Sequence, residues 1–385
     1  MTTALPVLSR VELNRATLAR QHLLRRASID PVAAVAAVGG LQAQEPASPY
    51  IALWTRVEAF DAEALTRAFE ERRIVKAGLM RATLHAVPAA DYLLLRPAVD
   101  AVFSQSSRLM RGARPDDGRL ARLRREIEAL AATPRPNGEL RDRLAATEGV
   151  DDPEALDALW WWIRRTTPLL QAPNGGPWSF GRRPLMVAPE AWLGRPFGSA
   201  QDGLTLLVRR YLGALGPATV ADLASWSKLA RATLRSAVAA LDAAGELWHG
   251  RDEDGRALLD LVDAPPRLLP MWDGLLLGHA DRSRVIDAQD RARIVANNGD
   301  TYPTFLVDGR VAGLWWTRQA GDTWIELEPF RPLRPADRTA LEAEGAALAR
   351  FLAPREPGAY ARYRARRDRT LGRLAAESGP TGTSD

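Results

Sequence analysis

The chain has 385 residues, room for two or three domains, with 46% apolar and 26% charged side chains, an ordinary balance for a globular protein. It contains no cysteine, which removes disulfides, thiolate metal sites and cysteine nucleophiles, and no apolar run of about 18 residues that would span a membrane. The net charge of +5 is a mild basic excess of the kind nucleic-acid partners accept, and every one of the 52 basic residues except Lys76 and Lys228 is an arginine, so imine chemistry has two candidate amines.

Met1 to Ser9 lacks a basic stretch followed by an apolar core, so no secretory signal is expected and the expected location is the cytoplasm. Apolar spacing predicts helices over 10–25, over 31–38 with Asp30 as cap and Pro31 opening it, and over 62–72 with Asp61 as cap. The strand-like runs RIVKAGL and RATLHAV follow. A second set begins with a helix over 117–131 and continues through PNGELRDRLA to DDPEALDALWWWIRR, capped by Asp152 and opened by Pro153. PLLQAPNGGPWSFGRRPLMVAP then reads as a wing turning at Asn174-Gly175. The third set is the clearest. A helix over 202–215 is broken at Gly216-Pro217, VADLASWSKL follows, and a helix over 231–244 leads into ELWHGR–DEDG–RALLDLVD, a hairpin turning at Asp254-Gly255. Three helices and a hairpin make the winged-helix plan.

From Arg267 the pattern changes to short strands, LLPMWDGLLLGH, TFLV–DG–RVAGLWW and TWIELEPF, with a hairpin turn at Asp308-Gly309 and a closing helix over 336–352. The expected fold class is α+β. Its expected domains are winged-helix modules over 9–100, 101–198 and 199–264, a β-rich domain over 265–355 and a basic tail over 356–385 whose end, 374–385, reads as disordered. The seven arginines between Arg355 and Arg373 face only Glu356 and Asp368 as acids, and a solvated terminal helix is the plainer reading of them beside a phosphate-tracking arm.

The histidines, His22, His85, His249 and His279, have no metal-ligand spacing, and neither a phosphate-binding glycine loop nor a GxSxG elbow is present. The unusual stretch is Gly39-Gly40-Leu41-Gln42-Ala43-Gln44-Glu45-Pro46. The glycines should end the preceding helix and Pro46 should prevent one from resuming at once, leaving Gln42 and Gln44 on extended chain and projecting to the same side. An amide takes no proton at neutral pH but accepts from water and donates to a sugar or base together, which suits a reaction whose leaving group departs readily. The plainer reading is that both glutamines satisfy loop backbone.

LQAQEPASPYIALWTRV, MRATLHAVPAADYLLLRP, LPMWDGLLLGHADRSRVI and NNGDTYPTFLVDGRVAGLWW together resemble the AlkZ/YcaQ family of bacterial DNA glycosylases, over residues 9–352. The resemblance implies a C-shaped array of winged-helix modules with a small β-domain, and excision of N7-alkylguanines from double-stranded DNA, including unhooking of interstrand cross-links. It also implies a catalytic pair at Gln42 and Gln44, since Gln-x-Gln marks the AlkZ-like branch, which is often associated with self-resistance to alkylating natural products. Ala43 is smaller than the residue expected between the glutamines, which would loosen the strand.

The chemistry agrees with the resemblance. N7-alkylation makes guanine cationic and weakens its glycosidic bond, so what remains is to hold the nucleotide and aim a water at an oxocarbenium-like sugar. Gln44 is expected to position the water and Gln42 to support the sugar or that water; whether the lesion is flipped out is left open. DNA contacts are sought at His85, otherwise a core histidine; at Asp273, otherwise a turn former; and at Arg284, Arg291 and Arg293, otherwise surface arginines. Trp160, Trp161 and Trp162 read as core, and of Trp315 and Trp316, on opposite faces of one strand, one should point inward. A monofunctional, metal-independent enzyme without cofactor, acting as a monomer, is the leading expectation. The alternative is a non-catalytic winged-helix DNA-binding regulator, and a third reading is an architectural DNA-binding protein.

Overall fold

Helix starts in this chain are written by local side chains. The computed structural model describes residues 7–104, 114–181, 183–243, 246–247, 251–252, 266–296, 298–307, 309–320 and 322–377. Within these, Asp30, Asp61 and Asp152 accept from the first free backbone N–H groups of helices Pro31–Ala37, Ala62–Glu70 and Pro153–Thr166. Ser9 and Glu12 form a reciprocal capping box on helix Arg10–Arg20, as Thr219 and Asp222 do on helix Val220–Ser227. The first helix stops before the expected residue 25, with His22 in the left-handed region.

The contacts divide the chain into two compact units, Met1–Ala264 with Asp273–Val285, and Pro265–Trp272 with Ile286–Asp385. Both are mixed helix and sheet. The first holds a six-stranded antiparallel sheet in the order Leu41–Gln42, Leu84–Pro88, Ile74–Gly78, Leu170–Ala172, Leu185–Val187, Arg135–Pro136. Strands from both sides of the expected boundary at residue 100 therefore share one sheet. Val75, Ala77, Val87, Leu170 and Val187 from that sheet pack with Tyr92 and with Leu207, Val208 and Tyr211 of helix Ala200–Leu215 in one core, which reaches Leu234 and Leu241 of helix Arg231–Ala243. This burial anchors strand Leu84–Pro88, to which strand Leu41–Gln42 is hydrogen-bonded.

Several expectations need correction. Pro46 does not delay a helix: helix Ala47–Arg56 begins directly after it. Proline lacks only an N–H that the first turn leaves unused, so it suits a helix start. Helix Ala89–Ala98 was not foreseen either. In LLPMWDGLLLGH, Arg267–Leu269 forms a strand, but Asp273 caps a short helix, Gly274–Leu277, and residues 273–285 belong to the first unit rather than to the β-rich one.

The second unit is a four-stranded antiparallel sheet in the order Asp322–Pro329, Arg310–Ala320, Thr304–Val307, Arg267–Leu269, packed by helix Pro335–Leu352. Trp315 and Trp316 are both buried, at 0% and 1% exposure, where one was expected outside. The second face is closed by helix Ala361–Glu377, whose Arg364 and Arg367 lie over the Trp316 ring while pairing with Glu326 and Glu328. The basic tail is thus a docked helix, helical through residues 374–377. The turns at Asp254-Gly255, Asn297 and Asp308, most of the hairpin over 246–263, His249 and residues 378–385 lie outside the described residues. No helix among the described residues is long and apolar enough to cross a membrane.

Candidate active site

Gly39 and Gly40 both have positive φ, +77° and +87°, and end helix Pro31–Ala37 by turning the chain sharply into the sheet. At Gly40 an added Cβ would lie 2.8 Å from a methyl of Val87, so the turn needs the missing side chain as well as the backbone freedom. The strand that follows pairs Leu41 with Ala86 and Gln42 with His85, and the Ala43 N–H donates to the Leu84 carbonyl at 2.7 Å. Leu41 and Ala43 are buried, Gln42 is half-buried and Gln44 is exposed. The strand ends at Gln42 and Gln44 lies in the bend that follows, so of the two glutamines expected on extended chain only Gln42 is in the strand, while the burial pattern leaves both more exposed than Leu41 and Ala43. Ala43, at 0% exposure, is enclosed and hydrogen-bonded, so its small size does not loosen the strand.

Both amides are oriented by donors. Gln44 Oε1 accepts from the Leu84 N–H at 2.7 Å, and Gln42 Oε1 accepts from Nη2 of Arg81 at 2.8 Å. Only the carbonyl end of an amide can meet such donors, so each NH2 is directed elsewhere. The same Arg81 nitrogen lies 3.3 Å from Nε2 of His85, whose Nδ1 lies 2.9 Å from the Thr83 carbonyl. Burial first, and the Arg81 charge second, push the His85 pKa down to about 3 against the Thr83 contact, so the ring is neutral, donates from Nδ1 and accepts at Nε2. His85 is 2% exposed with both nitrogens engaged, and it faces Gln42 rather than a phosphate.

Asp273 is likewise interior. Its Oδ1 caps the Leu275 N–H at 3.0 Å and accepts from Nη2 of Arg56 at 2.7 Å, with both side chains 1% exposed. It is a buried counter-ion and not a group offered to a sugar. Arg284 is half-buried in the first unit, with its carbonyl accepting from Nδ2 of Asn14. In the second unit Arg291 is exposed at the start of helix Arg291–Ile294, while Arg293 stacks on Phe330 with its guanidinium carbon 4.0 Å from the ring centre. Lys76 lies on the face of the sheet opposite His85 and Gln42, its ammonium over the Phe180 ring; burial pushes its pKa down to about 8, partly opposed by Glu45.

A family model described as DNA glycosylase AlkZ-like matches residues 35–351. The chain belongs to the AlkZ-like DNA glycosylase family. A Streptomyces sahachiroi protein named interstrand DNA cross-link repair glycosylase is 25% identical over 351 residues, covering 86% of this chain and 93% of its own length. The solved structure of Streptomyces sahachiroi DNA glycosylase AlkZ aligns with a TM-score of 0.73 at 22% identity, over 89% of this chain and 96% of that one, so the two share a fold.

Within this AlkZ-like chain, sequence reasoning missed Arg81. It sits in MRATLHAV as one arginine among many, and nothing in the spacing links it to a glutamine 39 residues earlier.

Proposed function

We propose that this protein hydrolyses the N-glycosidic bond of N7-alkylguanine in duplex DNA, that it unhooks interstrand cross-links made through such positions, and that it leaves an abasic site. The observation that carries the reading is the pair of glutamines whose amide oxygens are each held by a fixed donor. When the C1′–N9 bond breaks, its electrons pass to N9 and cancel the charge of the alkylated purine, so no enzyme acid is needed. The sugar carbon becomes cationic and takes a water, whose proton goes to solvent.

The two glutamines are not equivalent in this role. Gln44 Oε1 is engaged by a neutral N–H and retains a second lone pair of ordinary strength, so it is the one that accepts from the attacking water. Gln42 Oε1 is polarised by a guanidinium, which weakens it as an acceptor and strengthens its NH2 as a donor to that water or to a sugar oxygen. Neither changes charge, and the gain comes from orientation held in advance. Lys76, buried on the other face of the sheet, supports a reaction without an imine step. The order of helices 200–215, 220–227 and 231–243 supports winged-helix modules as the DNA grip, with Arg284 and the exposed Arg291 as phosphate contacts. The name of the Streptomyces relative supports the cross-link part of the reading.

The test is base release from duplex DNA carrying 7-methylguanine and from a duplex cross-linked through guanine N7 atoms. The wild type should release base and generate abasic sites on both. Gln44→Ala should slow release by about 100-fold, the scale of removing one preorganised hydrogen-bonding group. Undiminished release by Gln44→Ala would discard the assignment, and a protein that only binds DNA would free no base at all.

A further inference from the structure

We propose that Arg81 is a positioning residue for Gln42, its guanidinium fixing the orientation of the amide, with His85 Nε2 helping to hold the guanidinium in register. The inference rests on the glycosylase reading of the glutamine pair and extends it to two groups outside the Gln-x-Gln motif.

Three observations converge on it. The first is backbone geometry. Strands Ile74–Gly78 and Leu84–Pro88 are joined by a turn in which Arg81 and Ala82 both lie in the left-handed region, with φ +58° and +54°. That conformation crowds the Cβ of an L residue against its own backbone. Glycine or asparagine would bear it more readily, yet the sequence here is Leu79-Met80-Arg81-Ala82-Thr83. The turn is closed by Ala82 N–H to Leu79 O at 3.0 Å, Thr83 N–H to Met80 O at 3.2 Å and Leu79 N–H to Thr83 O at 3.0 Å, and this conformation aims the Arg81 side chain at Gln42. Strain retained beside reacting groups is the mark of a position selected for where it points.

The second observation is the set of acceptors. Nη2 serves Gln42 Oε1 and His85 Nε2, and Nη1 donates to the Trp226 carbonyl at 2.9 Å. All three are neutral, and among the described residues no carboxylate pairs with Arg81. The Trp226 carbonyl lies in the last turn of helix Val220–Ser227, where the helix dipole favours a cation. A guanidinium fork fixed at both ends leaves the Gln42 amide one orientation; an ammonium has no such planar fork and cannot span the same three acceptors.

The third is His85. A charged imidazolium would present a donor where Arg81 needs an acceptor, and the enclosed site that keeps this ring neutral preserves the network at working pH.

The experiment uses the full chain, single-turnover release of 7-methylguanine from duplex DNA, affinity for that duplex, and melting temperature. Arg81→Gly is expected to slow release about 100-fold, the scale of a misplaced catalytic group, while leaving affinity within about twofold. Its melting temperature should be unchanged or higher, since glycine relaxes the left-handed turn. Methylguanidinium should restore part of the rate and methylammonium should not. Arg81→Lys, which keeps the charge and covers the case in which glycine unfolds the turn, should remain slow. The double variant Arg81→Gly with Gln42→Ala should be no slower than Gln42→Ala alone, because the two act as one unit.

A wild-type rate in Arg81→Gly, losses that multiply in the double variant, or a rate loss that follows a melting loss without rescue would overturn the inference while the glutamine variants remain slow. Gln42→Ala and Gln44→Ala both releasing base at the wild-type rate would remove the glutamine pair as the site, and this inference with it, whereas a wild type that frees no base would remove the glycosylase reading itself.

Discussion

Arg56 and Arg81 are two cations of the same unit, one buried and one half-buried, held in opposite ways. Arg56 is 1% exposed and meets Asp273 at 2.7 Å, Gln21 Oε1 at 3.2 Å and the Ala52 carbonyl at 3.2 Å. Its charge is matched by a carboxylate, and the pair joins segments 217 residues apart. Arg81 meets neutral acceptors alone among the described residues, on a strained turn next to Gln42. A matched cation is what architecture asks for, since an unmatched buried charge is expensive. A cation held among neutral acceptors beside two oriented amides makes sense at a site, where the return is geometry rather than stability.

The contrast can be broken from either side. The largest effect should come from Arg56→Ala, which strands Asp273 without its counter-ion. A loss of about 3–5 kcal/mol in urea unfolding is expected, with the release rate per folded molecule unchanged. If Arg56→Ala instead slowed release in fully folded protein, the division between the two arginines would fail.

Next is acidification. His85 has its pKa pushed down to about 3 by burial and then by Arg81; His279 has its pKa pushed down to about 4 by burial and then by Arg284, against the opposing Asp222 and Asp281. In the unfolded chain both would titrate near 6.5, so the unfolded state binds more protons between about pH 6.5 and those lower values. Stability is therefore full above pH 6.5 and falls as pH drops through that window. The expected loss at pH 5 is about 2 kcal/mol for each ring, from 1.36 kcal/mol per pH unit. Urea melts at pH 7 and pH 5 measure it, and a His279→Asn variant should lose about half of the difference. Equal stability at the two pH values would mean the rings are not held neutral.

The smallest effect is expected at Arg367, whose charge is already matched by Glu328 at 2.7 Å on the rim of the second unit. Arg367→Ala should cost about 1–2 kcal/mol, since the pair is bidentate and stacked on Trp316, and leave the salt dependence of duplex binding unchanged. A shallower salt slope would return the terminal helix to the list of phosphate contacts.

Helix starts and the Gln-x-Gln strand were legible because their causes are local. Asp30, Asp61 and Asp152 bond to N–H groups two or three residues away, and Gly39-Gly40 stops a helix by its own backbone preference. Gln42 closes the strand and Gln44 sits in the bend after it, so strand pleat accounts for Gln42 and not for Gln44. Helix Ala47–Arg56 is hidden from local reading because proline ordinarily breaks a helix, whereas at the start of one its ring costs nothing. Trp316 was missed because its cover, helix Ala361–Glu377, reads locally as a charged tail; the glutamates that neutralise its arginines lie 38 and 39 residues away.

Short-range chemistry thus places Gln42 on an extended segment, and it is the resemblance carried by the four longer stretches that points to the reaction. Which way each amide faces, which histidine is sealed and neutral, and which arginine spends its charge on a carboxylate are long-range matters. They depend on pairings such as Leu41 with Ala86, Arg81 with Gln42 and Arg56 with Asp273, and burial and hydrogen-bond partners come into being only when such distant segments pack together.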